Sequence, residues 1–569
     1  MPPRAPARGP VLWHLYVPKL FTMLRRGYSG ADFRQDVLAG LTVAVVALPL
    51  AMALAIASGT TPEKGLHTAI IAGFLISALG GSRVQVGGPT AAFIPVVYVV
   101  IEKFGFGGLI LCTLLAGLML IAAGLLRLGA LMRYMPQPVI TGFTAGVAVS
   151  IFSSQVKDLF GLRIEHLPGD FLGKWQTYFG HWQTFNPASF LLALGCVAAI
   201  ILARRYRPLW PGFLIAVIGG ALATHALQLP VPTIASAFGG IPSALPVFDF
   251  PHIPFERTRE LLPASFTIAF LGGVESLLSA VVADGMTGGR HRSNCELVAQ
   301  GVANCASALF GGLPATGAIA RTATNVRAGA RTPVAGIAHA GFLLLFMLFA
   351  APLMAYVPLA ALAAVLLIVA WNMSEVEQFK HLMRGHWGDR LVLLVTFFLT
   401  VAFDLTVAIE VGVVLASFVF MHRMSEVVSV ESAGAMFEEE VDDLNRPELP
   451  DQRDQLPRGV AAFRIAGPLY FAVANRLDEV LDQFPIPPKV FILRMRLVPM
   501  IDASGAYALK QFVARCGKTG TVVILSGVQA QPHRLLLAQG LGNAANLLGF
   551  ADDFDTALGW ARQAVAVPA

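Results

Sequence analysis

Hydrophobic positions in this chain gather in long runs that recur from about residue 36 to residue 424. Val37–Ala57, Leu109–Leu126, Phe190–Ala203, Pro263–Ala283, Gly341–Leu353 and Leu391–Ala402 are among them. Several approach the roughly 20 apolar residues that a helix needs to cross a bilayer core. Counting such segments predicts an all-α polytopic membrane protein of about fourteen spans. Beyond Arg423 the pattern changes. Glu426, Glu431, Glu438, Glu439, Glu440, Asp442 and Asp443 crowd one stretch, and the proline-containing segment Arg446–Pro457 follows. Short β-rich runs then appear at Val460–Ile465, Lys489–Arg494 and Thr521–Leu525, alternating with helical patterns near Val473–Gln483 and Ala503–Cys516, the pattern of a small α/β domain. The expected organisation is a cytoplasmic N-terminal segment (1–35), a transmembrane domain (36–424), an acidic linker (425–458) and a cytoplasmic α/β domain (459–569).

Two apolar segments are too short to cross. Gly87-Gly88-Pro89-Thr90-Ala91-Ala92-Phe93 opens a segment that meets charge at Glu102, and Gly311-Gly312-Leu313-Pro314-Ala315-Thr316-Gly317-Ala318 opens one that meets Arg321 and Arg327. Each has paired glycines, a proline and then small residues. By the span count they are the third and tenth segments, so each is third in a half of about seven. An odd number of spans per half makes the second half enter from the opposite face, so the halves are related by inversion. Matched short segments interrupted by glycine and proline point to a transporter's binding site. The alternative is that the glycines only let helices pack closely.

Composition narrows the class. Hydrophobic residues make up 56% of the 569 and charged residues 13%, a balance outside that of soluble chains. The formal net charge of +6 is scattered between apolar runs, which argues for topology rather than nucleic-acid binding. Base collects at Arg83, at Arg204, Arg205 and Arg207, at Arg290 and Arg292, at Arg327 and Arg331, and at Lys380, Arg384 and Arg390. On the positive-inside rule these loops are cytoplasmic, as are both termini. The basic, Pro-rich Met1–Gln35 lacks the pattern of a cleaved secretory signal. Cys112, Cys196, Cys295, Cys305 and Cys516 form no CxxC pair, so neither a disulfide framework nor a zinc site is expected. No phosphate loop supports ATP-driven pumping, and no motif implies a metal, cofactor or enzymatic reaction.

A half-helix that begins inside the membrane leaves its first N–H groups unpaired, with a macrodipole end worth roughly half a positive charge. Two such ends facing one another make an anion site. The expected donors are Thr90, Ala91, Ala92 and Phe93 on one side and Thr316, Gly317, Ala318 and Ile319 on the other. Arg321 adds a guanidinium suited to a carboxylate or sulfate, unless it snorkels to the interface. Glu275, in the middle of Pro263–Ala283, is costly in lipid and must face the bundle interior. It either carries a proton alongside the substrate or ties two helices together as a permanent ion pair. His339 is expected to be a hydrogen-bonded packing residue.

These residues resemble the sulfate permease (SulP) family of anion transporters. The likeness rests on Asp36–Ala57, Gly87–Phe93, Glu275 and Ala315–Arg331 (ATGAIARTATNVRAGAR), and it covers about residues 30–565. It implies seven-plus-seven inverted repeats arranged as core and gate domains, a small anionic substrate held between the third and tenth segments, a homodimer in the cell's inner membrane, and a C-terminal STAS domain with a cytoplasmic partner of unknown identity. Ile501-Asp502-Ala503-Ser504-Gly505 falls where related anti-sigma-factor antagonists carry a phosphorylatable serine, so Ser504 is either a regulatory site or a helix N-cap. Pro49-Leu50 and Gly65-Leu66-His67 depart from many sulfate carriers. Asp284–Asn304, Ala318–Ala330 and Val369–Glu375 look like the family's bacterial C4-dicarboxylate carriers, which implies proton-coupled uptake of succinate, fumarate or aspartate, with sulfate or bicarbonate as the alternative. An anion channel and a non-transporting anion sensor are the readings from other classes.

Overall fold

A computed structural model describes residues 15–25, 27–129, 136–164, 167–207, 210–240, 255–403, 405–427, 429–432, 456–470 and 487–566. The acidic run 438–443, residues 446–455 of the expected linker and the helix expected over 473–483 lie outside them. The chain forms two compact units, Met1–Ala416 and Ser417–Ala569.

In the first unit the apolar runs become α1 (Gly30–Ala57), α2 (Pro62–Leu79), α3 (Ile94–Leu125), α4 (Gln137–Phe160), α5 (Phe171–Gly180), α6 (Pro187–Tyr206), α7 (Gly212–Ala226), α8 (Thr258–Thr287), α9 (Ser293–Leu309), α10 (Ile319–Arg327), α11 (Val334–Met354), α12 (Leu359–Met373) and α13 (Trp387–Ala402), with α14 (Leu405–Val427) running on beyond it. Among the described residues, eight helices are long and apolar enough to cross a membrane alone. Local chemistry sets their ends. Ser29 Oγ accepts from Asp32 N at 3.1 Å while the Asp32 carboxylate accepts from Ser29 N, a reciprocal cap that starts α1. One turn on, the buried Asp36 carboxylate accepts from Tyr28 Oη at 3.0 Å and from the N–H groups of Arg331 and Thr332 at 2.7 and 3.2 Å. That fastens the turn after α10 to the start of α1.

Helix α3 breaks at Gly105 (φ 70°, ψ −178°) into a short part, 94–104, and a long part, 106–125. With α5 and the short helices Lys19–Arg25, Ile234–Phe238 and Val376–Met383 set aside, the described helices fall into two runs of seven segments, and the short part of α3 and the nine-residue α10 stand third in each. Packing repeats when the runs are exchanged. The long part of α3 packs on α8 and α9 as α11 packs on α1 and α2, and α4 packs on α13 as α12 packs on α6. Helices α1–α3 and α8–α11 pack chiefly among themselves, as do α4, α6, α7, α12 and α13, so two bodies face one another. Helices α3 and α9 approach closely. A Cβ on Gly117 would stand 2.8 Å from Gly301 O, and one on Gly301 would stand 2.5 Å from Gly117 O. Only glycine permits that approach.

The second unit holds a five-stranded sheet of β3 (Ser429–Ser432), β4 (Val460–Ala466), β5 (Val490–Leu497), β6 (Val522–Ser526) and β7 (Leu547–Ala551), counting as β1 and β2 a pair in the first unit taken up below. Strand β3 is antiparallel to β4 and the remaining pairs are parallel, joined in part by α15 (Ala503–Lys518) and α16 (Ala530–Ala538) and followed by α17 (Phe554–Ala566). Phe463, Phe491, Leu493, Phe512 and Leu525 form its core. Two expectations need correction. Part of the predicted linker is strand, because Ser429–Ser432 supplies the partner that the β4 edge requires. Ser504 is not the N-cap of α15. Asp502 is, its carboxylate accepting from Gly505 N at 2.7 Å, and Ser504 lies exposed in the first turn.

Gly117→Ala is expected to destabilise the helical unit by about 1–3 kcal/mol through overpacking. Gly195→Ala, where an added Cβ meets nothing within 4 Å, is not. Thermal unfolding midpoints of the purified variants check both.

Candidate functional site

Where the two short segments begin, the chain is strand rather than helix. Residues Gly87–Gly88 (β1) pair antiparallel with Thr316–Gly317 (β2), Gly87 opposite Gly317 and Gly88 opposite Thr316. Ala318 N extends the ladder by donating to Val86 O at 3.0 Å. One face of α8 braces it. Gly272, Ser276 and Ser279 recur at helical spacing. Thr316 Oγ1 donates to Gly272 O at 3.0 Å and lies 2.6 Å from Ser276 Oγ, which accepts from Gly317 N at 3.1 Å. Gln85 Nε2 donates to Ser276 O, and Ser279 Oγ to Thr322 Oγ1, which accepts from Val86 N. From the other side, the Asn304 side chain bonds Ala315 N and Ala315 O, both at 2.8 Å.

The adjacent face of α8, with Leu271, Glu275 and Leu278, turns into a cavity of about 340 Å³. Its base is made by Pro89, Thr90, Ala91 and Ala92 on one half-helix and by Ala318, Ile319, Ala320 and Arg321 on the other. Neither half-helix start has a side-chain cap, so the first-turn N–H groups converge on this base with their dipole ends. Glu275 Oε2 accepts from Thr90 Oγ1 at 3.0 Å. Arg321 is 3% exposed. Its Nη2 donates to Pro89 O at 2.6 Å, whereas Nε and Nη1 have no hydrogen-bond partner among the described residues. Among the described residues no carboxylate lies within 4.0 Å of the guanidinium.

The geometry thus brings together Thr90, Ala91, Ala92, Ala318, Ile319, Arg321 and Glu275. It excludes Phe93, Thr316 and Gly317 from the cavity lining. The Thr316 hydroxyl donates to Gly272 O and Gly317 N to Ser276 Oγ. Phe93 is buried, with its ring near Gly272. Arg321 does not snorkel, and Glu275 is not its ion-pair partner. His339 is buried as expected but not hydrogen-bonded, since neither ring nitrogen has a partner among the described residues. The sequence reading missed the brace of Gln85, Ser276 and Asn304, although Gly272, Ser276 and Ser279 make a small and polar stripe on α8 that helical spacing could have disclosed.

Arg204 and Asn372 also line the cavity and are exposed, as are Ile319 and Ala320, and they mark its mouth. Arg204 ends α6. At the other end of α6, the connection from α4 is closed down: Tyr98 Oη donates to Leu167 O at 2.5 Å, and Lys174 Nζ sits 5.2 Å from the Tyr98 ring centre.

Residues 33–396 match the sulfate permease family and residues 454–557 the STAS domain. The chain belongs to the sulfate permease family and ends in a STAS domain. It is 40% identical over 94% of its length to YvdB of Bacillus subtilis (strain 168), a protein named as a candidate sulfate transporter, of which 99% is covered. It is 32% identical over 89% of its length to the bicarbonate transporter BicA of Picosynechococcus sp., of which 90% is covered. The fold matches that of murine Solute Carrier 26 family member A9, an anion transporter in the inward-facing state, with a TM-score of 0.84 at 19% identity, covering 98% of this chain and 96% of that one. This is therefore a mostly helical, multi-pass membrane protein of an anion-transporting family, with a small α/β domain at its C-terminus.

Gly88 has φ +149°, and a Cβ there would stand 2.2 Å from Arg321 Nη1. Gly88→Ala is expected to displace the guanidinium and weaken anion binding about tenfold, read as the sulfate concentration that half-saturates thermal stabilisation of the purified protein.

Proposed function

We propose that this protein is a secondary carrier that moves a small oxyanion across the membrane by alternating access. The observation that carries the proposal is Arg321, a buried guanidinium with two nitrogens free of hydrogen bonds, set where two uncapped half-helices converge. Guanidinium donors and helix N-termini both favour an anion with several oxygens. Two facing bodies, each built from helices of both halves, supply the motion that such a mechanism needs. The names of the relatives favour sulfate or bicarbonate as substrate.

A second substrate reading, proton-coupled uptake of C4-dicarboxylates, is supported by the stretches Asp284–Asn304, Ala318–Ala330 and Val369–Glu375 and by Glu275. That carboxylate lines the cavity, bonds Thr90 on a half-helix start and makes no ion pair within 4.0 Å among the described residues. It is free to take up a proton as the anion arrives. The reading extends to fourteen spans with both termini in the cytoplasm, an inner-membrane homodimer, and phosphorylation of the exposed Ser504 to alter a contact of the STAS domain.

Uptake of labelled sulfate, bicarbonate and succinate into proteoliposomes, with and without an inward proton gradient, tests the proposal. Saturable uptake of at least one anion is expected, abolished in Arg321→Ala. In Glu275→Gln the stimulation by protons is expected to disappear. Uptake of sulfate or bicarbonate alone would remove the dicarboxylate reading. Anion binding without flux would replace the carrier by a sensor, and conductance far above carrier turnover would replace it by a channel.

A further inference from the structure

A second guanidinium lines the same cavity. Arg204, near the C-terminal end of α6, belongs to the body formed by α4, α6, α7, α12 and α13, whereas Arg321 belongs to the other. Its position is held in two ways. Its Cζ lies 5.0 Å from the centre of the Phe213 ring on α7, and its Nη1 donates to Asn372 Oδ1 at 3.3 Å near the end of α12. The contact with Phe213 keeps the planar group over an aromatic face. The bond to Asn372 uses the amide oxygen and leaves the amide NH2 as a further donor at the same place. Glu375 lines this mouth as well, with its backbone in the left-handed region at φ 41° and ψ 48°. It lies more than 4.0 Å from the Arg204 guanidinium, which makes no ion pair among the described residues. Its charge is therefore not quenched.

Resting on the carrier reading above, we infer that Arg204 and Asn372 form a first anion station at the cavity mouth, from which the substrate passes to Arg321 and Thr90 at the base. A positive charge at the mouth of a cleft with low-dielectric walls concentrates anions there and speeds their capture. The two stations lie on different bodies, so an anion moving between them passes from one moving part to the other. The ligand class is a small oxyanion, carboxylate or sulfate, because a guanidinium and an amide NH2 side by side recognise oxygens that share one charge.

Sided transport tests this. Labelled sulfate, bicarbonate and succinate are offered separately to the two faces of membrane vesicles of opposite orientation. In Arg204→Gln the KM at the face onto which the cavity opens is expected to rise about tenfold relative to the KM at the other face, with Vmax within about twofold of the parent. Arg204→Lys should recover part of the loss, and added salt should raise the parent's KM more steeply than that of Arg204→Gln. An unchanged ratio of the two KM values in Arg204→Gln overturns the inference while leaving the carrier intact. If the parent moves none of the three anions, the carrier reading fails instead, and calorimetric binding of sulfate to the purified parent and variant decides the station, equal affinities overturning it. Should Arg204→Gln not assemble in the membrane, Asn372→Ala takes its place, with the same sided rise in KM expected and the same unchanged ratio overturning the inference.

Discussion

The membrane unit depends on one constraint: backbone that is not helical inside an apolar bundle must find every hydrogen bond within the protein. The chain crosses itself at Gly87–Gly88 and Thr316–Gly317, and four residues of antiparallel ladder satisfy part of that demand. Ser276, Gln85, Thr322 and Asn304 satisfy more. Two short helices can then begin in the interior, facing one another, because their preceding residues are already held. An antiparallel pair at the junction is also what a two-fold relation between the halves produces. Repeat, ladder and paired helix starts are thus consequences of a single arrangement.

Much of this was legible in the sequence, because the residues that break a rule in lipid stand out. Paired glycines and prolines opening segments too short to cross, and a lone Glu275 inside an apolar run, have few explanations in a membrane. Side-chain direction was not legible. Thr90 stands at the N-cap position of its half-helix and meets Glu275 at the cavity, whereas Thr316 lies two residues before the N-cap of the second half-helix, in β2, and turns its hydroxyl to Gly272 and Ser276. The polar stripe of α8 meets Thr316 and Gly317 directly and the first segment only through Gln85 and, by way of Thr322, Val86. The Asp502 cap escaped notice for a related reason. In Asp502-Ala503-Ser504 both polar residues are good caps, and only the register of the helix decides between them.

Arg204 shows the same limit in another form. Its neighbours Arg205 and Arg207 make it look like one of several bases marking a cytoplasmic loop, and the positive-inside rule accounts for all three. What distinguishes it is tertiary. Phe213 and Asn372 come from other helices and orient its guanidinium where the cavity widens. A residue can serve topology and substrate capture together, since both need a cation near the interface.

The arrangement at the base can be argued one step further from electrostatics. A buried guanidinium is costly unless a counter-charge or several hydrogen bonds compensate it. Arg321 has the Pro89 carbonyl and no carboxylate within 4.0 Å, although Glu275 lines the same cavity. Had the two formed a close pair, the pair would be neutral and would offer little to an anion. Glu275 is engaged instead by the hydroxyl of Thr90, which begins one of the half-helices. Positive potential from Arg321 and from both helix ends consequently converges on a space that the carboxylate borders but does not fill. On the proposed function, an anion arriving there gains the charge of Arg321, which no close carboxylate pairs among the described residues, and meets the repulsion of Glu275 unless that group is protonated. In the proposed mechanism, the same two residues that attract an anion to the base make its affinity depend on a proton, without an ion pair within 4.0 Å between them among the described residues.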